Sequence, residues 1–170
     1  WVLPLFILSF VVGKYLYQMP KFDNGERSPN FDWTLPSGDQ SDLKKLEGKY
    51  VLIDFWGSWC GPCIAEFTGL TSLFNKYHTS NFKNANGFDI VGVGVEKGKK
   101  RWRRAIEKYK LAWKNHVFDE VTNFRFFDST VAKLYGITEV PTKYLLNKNG
   151  VIVLVNPSVE ELDDFLKEQL

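Results

Sequence analysis

The sequence predicts an α/β domain in which helices flank a central mixed β-sheet. The apolar run at residues 51–56 is followed at once by helically spaced apolar residues, and a second apolar run covers residues 88–95. A strand, a helix and a strand in this order imply a parallel right-handed crossover. An Asn-Gly turn at residues 147–150 joins two further apolar runs as an antiparallel hairpin. With 170 residues, 44% of them hydrophobic, the chain is long enough for one domain with a sizeable core.

The N-terminal segment, residues 1–19, differs in composition from the rest of the chain. Residues 1–13 carry no charge, and Lys14 is followed by Tyr15 and Tyr17. A membrane-spanning helix needs about 20 mainly apolar residues, and lysine with aromatic neighbours suits its interfacial end. We therefore expect a membrane anchor, with a cleaved signal peptide or an amphipathic segment packed on the domain as the alternatives. Residues 20–30, rich in turn formers, predict a linker to a domain of residues 31–170.

The other elements follow from apolar spacing and turn residues. A helix is expected from Cys60 to near His78. The glycines of the strand at 88–95 predict that another part of the chain packs closely on that strand. We further expect a short strand and loop within 110–127, a short helix at 128–136 and strands at 143–146 and 151–155. The last helix opens at Pro157. Its predicted buried stripe consists of Val159, Leu162, Phe165, Leu166 and Leu170.

The basic run at residues 97–104 surrounds Trp102. It fits a patch for nucleic acid, acidic phospholipid or an acidic partner, and it equally fits the solvated start of a helix. Because the net charge is only +2, the chain gives no general argument for nucleic acid. We therefore favour the solvated helix and expect no nucleic-acid partner.

Cys60 and Cys63 are the only cysteines of the chain, and they are spaced Cys-x-x-Cys where the first predicted helix begins. Pro62 is tolerated there because the first helical turn does not need its missing N–H. Unpaired N–H groups and the helix dipole favour a thiolate, so we expect a lowered pKa for Cys60. Cys60, exposed beside Trp59, is then the nucleophile and Cys63 the resolving thiol. Gly61 and Pro62 set how oxidising the pair is.

Two acids flank this dithiol. Asp54 lies inside the apolar strand, where burial should raise its pKa, and it could exchange a proton with Cys63 through water. Glu66 follows Cys63 by three residues, which places it beside Cys63 on the helix. A capping or structural acid is the alternative for Asp54, and a solvated helix residue is the alternative for Glu66.

Half a zinc site is the alternative interpretation of the Cys-x-x-Cys pair. No second cysteine pair exists, and the only histidines, His78 and His116, are far along the chain and far from each other. We therefore expect no metal.

Residues 55–63, Phe-Trp-Gly-Ser-Trp-Cys-Gly-Pro-Cys, resemble the active-site segment of the thioredoxin superfamily. Residues 29–38 and 43–52 are similar to the N-terminal strand and the lead into the central strand of its membrane-tethered TlpA/ResA branch. The resemblance covers about residues 28–170 and implies a thioredoxin-like fold.

The resemblance also implies roles for single residues. Glu66 matches an acid that takes part in proton handling in that branch, and Asp54 matches the buried acid of thioredoxin. Pro141 matches a proline that is cis and faces the dithiol in the superfamily. By analogy, the backbone of Val140 pairs with an extended substrate segment, and Trp59 shapes the same docking surface.

The implied activity is thiol–disulfide exchange, in the direction that reduces disulfides of client proteins outside the cytoplasm. No cofactor is expected, since the electrons would come from another dithiol protein, in the membrane or fed through it. Two rival functions share the fold. A peroxidase of the peroxiredoxin or glutathione-peroxidase type would need a lone peroxidatic cysteine in a Thr-x-x-Cys or similar setting, which Ser58-Trp59-Cys60 does not provide. A non-enzymatic binding module would not need an intact Cys-x-x-Cys pair.

Overall fold

The computed structural model describes residues 6–13, 21–124 and 127–170. Residues 6–13 are helical (α1), and their side chains are exposed. None of the helices within the described ranges has the length and apolar character needed to cross a membrane. The remainder of the predicted anchor, residues 1–5 and 14–19, lies outside these ranges.

The central sheet has the strand order β5-β4-β3-β6-β7, and a separate antiparallel pair, β1-β2, precedes it in the chain. Strand β3 runs parallel to β4 and antiparallel to β6, so the sheet is mixed, as predicted. The domain elements are β1 (Asp32–Thr34), β2 (Gln40–Asp42), a 3₁₀ helix (Leu43–Leu46), β3 (Tyr50–Trp56), α2 (Gly61–Tyr77), β4 (Phe88–Glu96), α3 (Lys99–Tyr109), β5 (Asn115–Glu120), α4 (Thr130–Tyr135), β6 (Thr142–Leu146), β7 (Ile152–Val155) and α5 (Val159–Glu168).

Two apolar clusters cover the two faces of the sheet. Side chains alternate along a strand, so Val51, Ile53 and Phe55 of β3 join one cluster while Leu52 and Trp56 join the other. The first cluster contains side chains from β1, the 3₁₀ helix and α4, and the second contains side chains from α2, α3 and α5. Every residue of β3 is buried, which explains why its residues are apolar or aromatic with the exception of Asp54.

The glycines of β4 have the packing role that the sequence predicts. A Cβ atom added to Gly94 would overlap the ring of Trp102 on α3, and one added to Gly92 would lie 2.9 Å from Nε1 of Trp113. Helix α3 begins within the basic run 97–104, where Lys99, Arg101 and their charged neighbours are exposed while Trp102 is buried. The basic run is therefore the solvated start of a helix anchored by one tryptophan.

The predicted buried stripe of α5 is confirmed in part, since Val159 and Phe165 are half-buried against the second cluster. Ser158 caps α5 in a capping box with Glu161, and Leu162 and Leu166 are fully buried. Leu170, expected in the buried stripe, is 51% exposed, because the helix ends at Glu168 and the spacing no longer places residue 170 on that face.

Residues 21–30, predicted to form a linker, lie against the domain. The Ser28 N–H donates to the Gly150 carbonyl, and the Gly25 N–H donates to the carbonyl of Ile152. The Phe22 ring packs edge-on against Tyr135 with a centroid distance of 5.7 Å. This segment therefore contributes hydrogen bonds and apolar contacts to one end of the sheet.

Asp119 on β5 caps the N-terminus of α4. Its buried carboxylate accepts hydrogen bonds from Ser129 Oγ at 2.7 Å and from the N–H groups of Val131 and Ala132 at 3.1 and 2.8 Å. We expect Asp119→Ala to lower the free energy of unfolding by about 3 kcal/mol, because it leaves buried donors without an acceptor. Urea denaturation measures this loss, and Asp164→Ala, at an exposed site on α5, is the control. A loss equal to that of the control would contradict the capping role.

Candidate active site

The two cysteines form a disulfide at the N-terminus of α2. The S–S distance is 2.01 Å and the Cα atoms are 5.3 Å apart. Cys60 is the N-cap residue, and its Sγ accepts a hydrogen bond from the Cys63 N–H at 3.2 Å. Pro62 lies in the first turn, as predicted. The same N–H would stabilise a thiolate on Cys60 once the disulfide is reduced, since a hydrogen bond to the charged form favours it.

Both cysteines are buried, which corrects the expectation that Cys60 is exposed. The exposed fraction is 4% for Cys60 and 2% for Cys63. The turn before β6 contributes to this burial, since the carbonyl oxygen of Val140 lies 3.6 Å from Cys60 Sγ. The sequence shows that this turn is near the dithiol only through the family resemblance, and it does not show how closely the turn approaches the sulfur.

The Val140–Pro141 peptide bond is cis, as the resemblance implies. Both residues are half-buried, and Thr142 Oγ1 donates a hydrogen bond to the Glu139 carbonyl at 2.8 Å. The turn thus presents Val140 to the dithiol while β6 continues into the sheet.

Trp59 lies beside the disulfide and is 44% exposed. Its Nε1 donates to the Val95 carbonyl at 3.1 Å, and its ring lies 4.8 Å from that of Phe124 between centroids. A Cβ atom on Gly57 would approach the indole to 2.6 Å, so the glycine makes room for the ring. Trp59 is therefore an aromatic surface held in place by the end of β4.

Glu96 is a site residue that the sequence analysis missed. It ends β4, is fully buried, and its Oε1 accepts a hydrogen bond from the Ser58 N–H. This bond joins the loop that carries the dithiol to the neighbouring strand. An acid directly after the apolar residues 90–95 was the signal in the sequence.

Asp54 lies in the middle of β3 and is 2% exposed. Burial raises the pKa of its carboxyl to about 7, while the positive charge of Lys143 lowers that pKa and the negative charge of Glu66 raises it by a smaller amount. The predicted rise is confirmed. A carboxyl whose pKa lies near neutrality is suited to accept and return protons.

Glu66 forms an ion pair with Lys143, a second residue that the sequence analysis missed. Lys143 Nζ lies 2.6 Å from Glu66 Oε2, and the side chains are 5% and 28% exposed respectively. Asp54 and Lys143 are direct cross-strand partners in the β3–β6 pairing. A lysine within the buried run of β6 was the signal in the sequence, since lysine is rarely buried unless it is paired.

The histidines lie apart from the dithiol in the fold. His78 is the C-cap residue of α2, at the opposite end of the helix from Cys60. His116 is a buried residue of β5, and burial lowers its pKa to about 4. Within the described ranges, histidine, cysteine and acidic side chains form no group of three or more that could hold a metal ion.

A cysteine pair that forms a disulfide at a helix N-terminus is suited to reversible thiol–disulfide exchange. The fold and the site thus define the class of thiol–disulfide oxidoreductases. Residues 48–152 match the family model described as thioredoxin-like, and the chain belongs to this family.

The relatives belong to the same class. The chain is 29% identical to thiol-disulfide oxidoreductase ResA of Bacillus cereus, over 98% of the chain and 93% of the relative. It is 30% identical to ResA of Bacillus subtilis, over 89% and 79%. Among solved structures, the thioredoxin domain of a thiol-disulfide oxidoreductase from Bacteroides vulgatus is 27% identical with a TM-score of 0.72, over 87% of this chain and 98% of that domain. The predicted fold, ResA-like resemblance and enzyme class are confirmed.

Proposed function

We propose that the protein reduces disulfides in client proteins outside the cytoplasm, using Cys60 and Cys63 as its dithiol and the N-terminal segment as its membrane anchor. The observation that carries the proposal is the placement of the Cys60 sulfur at the N-terminus of α2, with the Cys63 N–H on one side and the Val140 carbonyl on the other.

The reaction has two displacement steps. The Cys60 thiolate attacks a client disulfide, forms a mixed disulfide and releases one client thiolate. Cys63 then loses its proton and attacks Cys60 Sγ, which forms the Cys60–Cys63 disulfide and releases the second client thiolate. Two electrons pass from the protein dithiol to the client, and two protons end on the client thiols. A second dithiol protein returns the electrons. It lies in the membrane or receives its own electrons across the membrane.

The two acids have different parts in handling the proton of Cys63. Asp54, with its pKa near 7, accepts this proton as the sulfur becomes a nucleophile and returns it when the dithiol is restored. Glu66 is partly exposed and connects the same region with solvent. Because Cys63 is 2% exposed, a group inside the protein is better placed than a base in bulk solvent to take the proton.

The client docks on the surface around Cys60. Trp59 supplies an exposed apolar wall, and Gly61 and Pro62 are exposed, with open space beyond Gly61. An extended client segment lies across them and forms backbone hydrogen bonds with Val140, next to Pro141. Because such pairing is made by the backbone, the surface accepts clients of different sequence.

The reduction potential of the Cys60/Cys63 pair tests the direction of electron flow. We expect a value nearer to about −270 mV, that of thioredoxin, than to about −120 mV, that of a strong periplasmic oxidant. Equilibration with dithiothreitol or glutathione buffers, followed by alkylation and mass spectrometry, gives the potential. A value near that of the oxidant would mean that the protein forms client disulfides, and the proposed direction would be wrong.

A further inference from the structure

Three ionisable side chains come from three elements next to the dithiol: Lys143 of β6 forms an ion pair with Glu66 of α2 and is the cross-strand partner of Asp54 of β3. We propose that Lys143 is a positioning residue that pairs with Glu66 and thereby leaves Asp54 as the one group of this site that takes and returns the proton of Cys63. The proposal rests on the proposed function for the role of Cys63.

The strand pairing fixes where Lys143 lies. Asp54 and Lys143 are directly opposite in the antiparallel register of β3 and β6, so their side chains leave the sheet on the same face. Leu52 and Trp56, two residues to either side of Asp54, belong to the apolar cluster that contains Cys60 and Cys63. The face shared by Asp54 and Lys143 is therefore the face on which α2 carries the dithiol.

Hydrogen bonds fix both the backbone and the side-chain amine of Lys143. The Lys143 N–H donates to Asn156 Oδ1 at 2.9 Å, and the Asn156 N–H donates to the Lys143 carbonyl at 2.8 Å. At the other end of the residue, Nζ reaches Glu66 Oε2 at 2.6 Å. A lysine that is 4% exposed has lost most of its hydration, so this ion pair compensates for its burial.

The charges of the site then give the two carboxylates different roles. Without a cation, two carboxylates that share a site compete for protons, and neither has a distinct role. With Lys143 on Glu66, the pair is neutral as a unit, and Asp54 is the remaining acid. Lys143 from β6 and Glu66 from α2 are the charged groups that act on Asp54, while Cys63 of α2 is the thiol it serves.

The two members of the ion pair act on Asp54 with opposite signs. Lys143 lowers the pKa of Asp54 and Glu66 raises it. We therefore expect Lys143→Met to raise the titration midpoint of Asp54 by about one pH unit or more, and Glu66→Gln to lower it. If the ion pair served only to hold the packing together, its loss from either side would let water reach Asp54 and lower the midpoint in both variants.

The experiment is an NMR titration of the full chain in its oxidised form, with aspartate labelled by ¹³C at the carboxyl carbon. Neither cysteine titrates in the disulfide, so the carboxyl signal reports Asp54 without interference, and Asp54→Asn assigns the signal. Lys143→Gln is a second neutral variant in case Lys143→Met does not fold. The control is Lys76→Met, which removes the lysine of another ion pair, 2.7 Å from Asp163.

Opposite shifts for the Lys143 and Glu66 variants, with no shift for Lys76→Met, are the expected result. An unchanged midpoint in the Lys143 variants, or shifts of one sign, would overturn the proposal. This titration does not depend on turnover, so its outcome is independent of whether the protein reduces client disulfides.

The pH profile of disulfide reduction connects the titration with Cys63. In Lys143→Met the pH profile of activity should move to higher pH by the same amount as the titration midpoint of Asp54. Activity should therefore be recovered at higher pH. A shifted carboxyl titration with an unshifted activity profile would show that Asp54 does not serve Cys63, and it would overturn the proposal as well.

Discussion

Replacing Cys63 with serine is expected to trap the protein on its clients as a stable mixed disulfide, and replacing Cys60 with serine is expected to abolish both reduction and trapping. Cys60 Sγ accepts the N–H bond at the helix N-terminus and lies beside the Val140 carbonyl, so it is placed to attack. Without Cys63 no internal thiol can displace the client. We expect each substitution to lower the steady-state rate by about 10³-fold or more, since the two sulfurs act as a unit.

Trapping can be measured by non-reducing electrophoresis after the variant is mixed with an oxidised peptide, with mass spectrometry of the adduct. The chain has no other cysteine, so every adduct of Cys63→Ser is at Cys60, and the double serine variant is the control. Adducts of equal amount in the two single variants would contradict the assignment of nucleophile and resolving thiol. Peroxide consumption by Cys63→Ser alone would instead support the peroxidase alternative.

The sequence predicted those parts of the site that depend on local chemistry. The helix start at the cysteines, the place of Pro62 in the first turn and the burial of Asp54 follow from spacing and composition over a few residues. The cis peptide before Pro141 was accessible only through the family resemblance, since the residues alone allow an ordinary trans turn.

The parts that the sequence did not predict depend on contacts between distant segments. Lys143 meets Glu66 across 77 positions of the chain, and the Ser58 N–H meets Glu96 across 38. Helical or strand periodicity places a charged residue on a face, but it does not say which residue of another element lies opposite. The contact between Cys60 Sγ and the Val140 carbonyl likewise joins residues 80 positions apart.

Asp54→Asn is expected to stabilise the folded protein at alkaline pH while it impairs disulfide reduction. In the folded state the Asp54 carboxyl has a pKa of about 7, against an ordinary value of 3.8. Between these values the folded state holds a proton that the unfolded state has lost, so the free energy of unfolding falls as pH rises. This difference between the two pKa values lowers the free energy of unfolding by about 4 kcal/mol once the pH exceeds about 7.

The neutral amide that Asp54→Asn introduces carries no such pH-dependent cost. We therefore expect similar unfolding free energies for the variant and the wild type near pH 4, with the variant more stable at pH 8 by about 2 to 4 kcal/mol. Urea denaturation of the oxidised proteins across this range measures the difference.

Asp163→Asn provides a control of opposite sign. Hydrogen bonds from Lys76 and Tyr77 lower the pKa of Asp163, so its ionised form stabilises the fold above the ordinary pKa, and the substitution should cost stability at neutral pH. If Asp54→Asn showed no gain between pH 4 and pH 8, the carboxyl would be ionised in the fold at little cost, and its role as a proton acceptor near neutrality would fail. A gain in stability together with slower reduction would show that the chain retains a costly buried acid for its chemistry.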